Sequence, residues 1–149
     1  MPDILHRISI DAPPADVRPL VATTEGIARW WTGRAVEGDT TVGGRFAVSF
    51  GVADTPAAVM TVQSSTPDEV VWRVVEGPDS WIDTLITFSM QPTSSGGTTL
   101  LFTHARWAEA SEFMSGCSTN WGAYLASLKT GAEGIEFRPY PQGEISRWE

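Results

Sequence analysis

Apolar and polar positions alternate from the start of the chain. Ile4, His6, Ile8 and Ile10 interleave with Leu5, Arg7, Ser9 and Asp11, the two-residue period of a half-buried strand over residues 3 to 11. Asp11-Ala-Pro-Pro-Ala-Asp16 follows, and prolines just behind an aspartate predict a helix start, with Asp11 as the cap of a short helix over Pro14 to Ala22. Thr24 predicts a second cap. Behind it Ile27, Trp30 and Trp31 stand at i, i+3 and i+4 on one helical face until Gly33 ends the turn.

From Arg34 to Trp107 the helical period gives way to short alternating runs separated by Gly, Pro, Asp and Ser, the pattern of an antiparallel meander. Strands are expected at Arg34 to Glu37, Arg45 to Phe50, Ala58 to Gln63, Val70 to Val75, Trp81 to Met90 and Thr98 to Trp107. Thr66-Pro-Asp-Glu69 and Ser94-Ser-Gly-Gly97 suit the turns between them. Glu109 to Lys129 returns to helical spacing, with Phe113, Cys117, Trp121, Tyr124, Leu125 and Leu128 on one stripe. Gly131 and Gly134 are the expected stops, and an irregular tail runs from about residue 135. This order predicts a single α+β domain over residues 1–149, in which a curved antiparallel sheet of about seven strands grips one long C-terminal helix.

Composition narrows the function classes. The formal charge is -8, with Arg and Lys together numbering 10 against 18 acidic residues, which disfavours nucleic-acid backbones and anionic lipid surfaces. No stretch approaches the ~20 apolar residues of a membrane span. Asp3, His6, Arg7 and Asp11 interrupt any apolar leader, so a cytoplasmic location is expected. Cys117 is the single cysteine, which excludes an intramolecular disulfide and a cysteine zinc cluster. Gly43-Gly44 and Gly96-Gly97 lack the lysine and following helix of a phosphate loop, and no cofactor is expected. His6 and His104 without a third ligand argue against a metal, since even an open zinc site takes three protein ligands. Seven tryptophans in 149 residues point to large aromatic surfaces, packed in the core or lining a cavity.

Four segments carry a family resemblance: Thr24-Glu-Gly-Ile-Ala-Arg-Trp-Trp31, Gly43-Gly-Arg-Phe46, Gly97-Thr-Thr-Leu-Leu-Phe-Thr-His104 and Asn120-Trp-Gly-Ala-Tyr-Leu-Ala-Ser-Leu-Lys129. In this order and spacing the chain resembles the START-like, or SRPBCC, superfamily, and more narrowly proteins related to the activator of the heat-shock-protein-90 ATPase. That superfamily includes lipid carriers, hormone and allergen binders, and polyketide cyclases and aromatases. The resemblance implies a helix-grip fold with an apolar cavity between sheet and long helix. It also implies binding of a small apolar or aromatic molecule, by a monomer or homodimer.

On that reading the ligand contacts are His104, Trp30, Trp31, Trp72, Phe88, Phe102, Trp121, Tyr124 and Cys117, with Asn120 a further polar contact. The residue types by themselves more often mark a packed core than ligand contacts. An inward histidine such as His104, beside Leu100 and Phe102, is more often a hydrogen-bonded structural group than a pocket contact. Trp30 and Trp31, about 100° apart on an α-helix, are not both expected to face one pocket. Cys117 has no neighbouring base, and no catalytic residue is assigned. Two alternatives stand beside ligand binding: a cyclase or aromatase using His104, and a chaperone-interacting module.

Overall fold

A computed structural model describes residues 1–51 and 56–147. Strand β1 (Ile4–Ile10) leads into three single-turn helices, α1 (Pro14–Val17), α2 (Pro19–Ala22) and α3 (Thr24–Ile27), and then into a π-helical turn, Ala28–Thr32. Strands β2 (Glu37–Gly38), β3 (Arg45–Val48), β4 (Ala58–Ser65), β5 (Glu69–Glu76), β6 (Leu85–Pro92) and β7 (Thr98–Ala105) follow, and α4 (Glu112–Ala132) is the long helix. The sheet order is β1-β7-β6-β5-β4-β3-β2, antiparallel throughout. Register shifts at Val59/Met60 and Val62/Ser64 interrupt β4, and bulges of this kind bend a strand and curve its sheet.

Period-two patterning sets the inner face. Val70, Trp72 and Val74 on β5, Ile86, Phe88 and Met90 on β6, and Leu100, Phe102 and His104 on β7 are all buried. They meet the stripe of α4 formed by Cys117, Trp121, Tyr124, Leu125 and Leu128, also buried. Among the described residues no helix is long and apolar enough to cross a membrane.

Several boundaries differ from those read along the chain. The first helix breaks at Arg18, because Pro19 opens a new turn and has no N–H to continue the old one. Asp11 does not cap it; Pro13 occupies that position, and the Asp11 N–H instead donates to Glu133 at 2.7 Å. Thr23 rather than Thr24 caps α3, its hydroxyl accepting from Gly26 N–H at 2.9 Å. The strand expected at Arg34 to Glu37 shrinks to Glu37–Gly38, and the one from Arg45 stops at Val48. Residues 79–84 are a 3-10 turn and loop, Asp83 taking a left-handed φ of 66° that no strand tolerates. Arg106, at φ 73°, likewise ends β7 before Trp107. Helix α4 continues through Gly131, and Gly134, at φ 78°, marks the real stop.

The tail is irregular but closely docked on α4. Asn120 Oδ1 accepts from the N–H groups of Ile145 and Ser146 at 2.9 and 2.8 Å, and its Nδ2 donates to Ser146 O at 2.9 Å. Arg138 N–H donates to Ser127 Oγ at 2.7 Å, and Tyr140 N–H to Trp31 O at 2.9 Å. Two polar side chains of the helix and the Trp31 carbonyl thus replace the sheet ladder that this segment lacks. Where α4 meets the end of β1, Lys129 Nζ donates to Glu133 at 2.7 Å and Ser9 O at 2.8 Å. The ammonium, together with the Asp11 N–H, holds the Glu133 carboxyl below the usual carboxylate range.

The short helices pack backbone to backbone at Gly26. A Cβ there would lie 2.0 Å from Pro19 O and 2.7 Å from Leu20 Cα. Alanine at a helical position gains ~1 kcal/mol in propensity over glycine, but relieving an overlap with main-chain atoms moves a whole element. Gly26→Ala is expected to lower the unfolding free energy by about 3 kcal/mol, measured by urea denaturation; an unchanged midpoint would contradict this packing.

Candidate functional site

The space between sheet and helix is divided. Over β5, β6 and β7 it is filled with rings: Trp72 meets Phe46 at 5.1 Å and Phe88 at 4.8 Å, and Phe88 meets Phe102 at 5.4 Å, all edge to face. Trp30 packs against Phe88 at 6.0 Å and donates its indole N–H to Leu20 O at 2.7 Å. Both tryptophans of the pair are buried and lie nearly parallel, centroids 5.8 Å apart. Both rings are carried inward by the π-helical turn. Its i→i+5 bond, Gly33 N–H to Ala28 O at 3.0 Å, widens the turn, so neighbouring side chains diverge less than on an α-helix.

Beside this filled region lies a cavity of about 320 Å³. Trp31, Trp81 and Trp121 form one wall, with Trp31 5.0 Å and Trp81 6.1 Å from Trp121. Helix α4 adds Phe113, Cys117, Asn120 and Tyr124, while Phe50, Ala57, Ala58 and Pro78 come from the β3–β4 and β5–β6 connections and their edges. Tyr140 and Glu144 complete it from the tail. Of the residues singled out in the sequence as contacts, Trp31, Cys117, Asn120, Trp121 and Tyr124 line this space. Trp30, Trp72, Phe88, Phe102 and His104 sit behind it in the packed interior. Residues 140 and 144 lie in an irregular tail without a periodic signal, and Trp81, read as the start of a strand, lies in a 3-10 turn.

His104 is fully buried, and its hydrogen bonds fix its protonation state. Trp121 Nε1–H can only donate, and it donates to His104 Nδ1 at 3.1 Å, so Nδ1 carries no proton. Thr84 Oγ1 donates to Trp81 O at 2.5 Å and therefore accepts from His104 Nε2 at 2.8 Å. Burial depresses the imidazole pKa to about 3, and a proton on Nδ1 would face the Trp121 N–H. His104 is thus a neutral structural connector. His6 goes elsewhere: Nε2 lies 3.2 Å from Ser118 O and 3.3 Å from Ser118 Oγ. Among the described residues no group of three His, Cys, Asp or Glu side chains is placed to hold a metal.

The polar groups around the cavity are few. The Trp81 indole N–H is buried without a full hydrogen bond, lying against the Cys117 thiol, whose pKa burial pushes up. Burial, reinforced by the charge of Glu144, raises the Tyr124 phenol, so it stays protonated. Asn120 spends its amide on the tail.

Because His104 is held neutral when folded and titrates near 6.5 when unfolded, the unfolded state binds the extra proton. Stability is then fully present above the unfolded pKa and falls as pH drops from about 6.5 toward 3. Between pH 7 and 5 the expected loss is about 2 kcal/mol, in a window where carboxylates contribute little. His104→Gln, which keeps one donor and one acceptor, should flatten that slope in urea denaturation; an equal slope in both proteins would refute the assignment.

Comparisons with known proteins agree with this architecture. The family profile described as "Activator of Hsp90 ATPase homolog 1-like protein" matches residues 11–133. The Aha1 dimer from Colwellia psychrerythraea is 32% identical over 89% of this chain and 97% of that one, with a TM-score of 0.78. CalU16 from Micromonospora echinospora, at 22% identity, covers 99% and 74% of the two chains with a TM-score of 0.74. An HSP90 activator from Plasmodium falciparum, at 16%, covers 89% and 96% with a TM-score of 0.72; these two share the fold. No curated protein matches the chain. Tyr140 and Glu144 lie beyond the matched stretch, which holds strands β2 to β7, the π turn and α4 through Ala132. With the profile spanning most of its length and a relative nearly one-third identical across the fold, the chain belongs to the Activator of Hsp90 ATPase homolog 1-like family.

Proposed function

We propose that this protein binds a compact aromatic or apolar molecule in the cavity between α4, the π turn and the tail. The observation that carries the reading is a space of about 320 Å³ walled by Trp31, Trp81 and Trp121 beside an interior packed with rings. Such a volume is at the small end of ligand pockets, which run from about 300 to 1,000 Å³, and it favours a fused-ring molecule over a long acyl chain. Affinity comes from apolar burial at ~25 cal/mol per Å². Direction comes from the Trp81 N–H and the Tyr124 hydroxyl.

The enzymatic alternative is the less supported, since Trp121 and Thr84 engage both nitrogens of His104 and the residue does not line the cavity. The chaperone alternative rests on the names of relatives rather than on a surface of this chain. Of the two oligomeric states, the dimer of the Colwellia relative favours a homodimer.

Naphthylethanol, a neutral bicyclic probe, is expected to quench tryptophan emission with a dissociation constant of order micromolar. Cys117→Phe, which projects a ring into the cavity, should abolish quenching while the fold survives. Cys117→Ala should stay within about threefold of the parent protein. The bound probe should also slow alkylation of Cys117, followed by mass spectrometry. Quenching that persists in a folded Cys117→Phe protein would place the probe elsewhere and sink the reading.

A further inference from the structure

The charge lining the cavity has one sign. Among the described lining residues Glu144 is the only acidic or basic side chain; no Arg, Lys or His faces the space. Its carboxylate accepts no hydrogen bond from the described residues, and its ionic neighbour, Arg147, is a loose one: Nε is 3.8 Å away on a side chain 73% exposed to water. An exposed contact at that distance is worth little. Glu144 itself is only 26% exposed, and its charge is felt at the Tyr124 hydroxyl. Around it stand rings: Tyr140 meets Phe50 edge to face at 5.4 Å, Phe50 meets Trp31 at 5.7 Å, and Tyr124 packs under the Gly143 backbone. Ring faces attract cations through their quadrupoles, most strongly where water is excluded. An anionic ligand would meet the carboxylate with no cation among the described lining residues to offset it, whereas a cation meets a carboxylate and several ring faces together.

Resting on the ligand-binding reading above, we infer that the cavity's occupant is an aryl-alkyl or alkylammonium compound. Its cationic group sits at the tail end of the cavity beside Glu144, Tyr124 and Tyr140, with its apolar part against Trp81 and Trp121. The formal charge of -8 on the chain steers a cation toward the protein in the same sense. Glu144 and Tyr140 are the residues that set this specificity, and both come from the segment outside the family profile.

Three probes of equal ring size separate the possibilities: naphthylethylammonium, naphthylethanol and naphthylacetate, titrated by isothermal calorimetry at pH 7.5 in low and high salt. The ammonium is expected to bind about tenfold more tightly than the alcohol, and the acetate about tenfold more weakly. Added salt should weaken only the ammonium, and Glu144→Gln should bring ammonium and alcohol within about threefold of each other. Alcohol or acetate binding as tightly as the ammonium overturns the cation assignment and leaves the ligand-binding reading intact. Failure of all three to bind overturns both. The order among the probes is read on the parent protein, so the test stands even if Glu144→Gln does not fold.

Discussion

The indole N–H of Trp121 is buried at the centre of the molecule, and the position of α4 over the sheet depends on the acceptor it finds there. That acceptor is Nδ1 of His104 on β7, available only because the imidazole is neutral and passes its own proton toward Thr84. Thr84 in turn holds the carbonyl of Trp81. One chain of three hydrogen bonds therefore ties the long helix, the last strand and the β5–β6 connection together. The Trp121 ring is also shared between regions, 4.7 Å from Phe102 in the packed interior and 5.0 Å from Trp31 beside the cavity. Water inside the core would compete for each link, and its exclusion is what gives the chain its strength.

From this hub the interior divides. Over the central strands the rings close on one another and leave no room, while toward the tail α4 presents Phe113, Cys117 and Tyr124 across open space. The tail settles that boundary. It has no secondary structure to satisfy its backbone, so Asn120, Ser127 and Trp31 do so, and Gly33 is obliged to lack a Cβ that would sit 2.5 Å from Tyr140 O. A helix face that appears polar and solvent-directed is thus a docking surface for the chain's own end. The same docking brings a carboxylate to the cavity wall, which gives an otherwise apolar space a direction.

How far the sequence reached depended on whether a residue belonged to a regular repeat. Alternation along Val70/Trp72/Val74 and Leu100/Phe102/His104, and the stripe from Cys117 to Leu128, predicted the meander, its inner face and the gripping helix, because strand and helix periods are local properties of the chain. The family resemblance drew on two of these stretches together with Thr24–Trp31 and Gly43–Phe46. Irregular backbone was not legible in that way. The π turn that brings Trp30 and Trp31 inward together, the left-handed Asp83 that delays to Leu85 the strand expected from Trp81, and the tail at Tyr140 and Glu144 each depend on partners far away in sequence. His104 shows the division within one residue. Its inward direction was written in the alternation, but its role was not. The bond to Trp121 spans 17 positions and the one to Thr84 spans 20, and those contacts hold its proton on Nε2 and place it behind the cavity wall. The sequence by itself determined which faces would be buried, since burial follows from pattern. Only the tertiary structure decided which buried faces would touch and which would leave a space, because that depends on the summed shapes of side chains from separate elements.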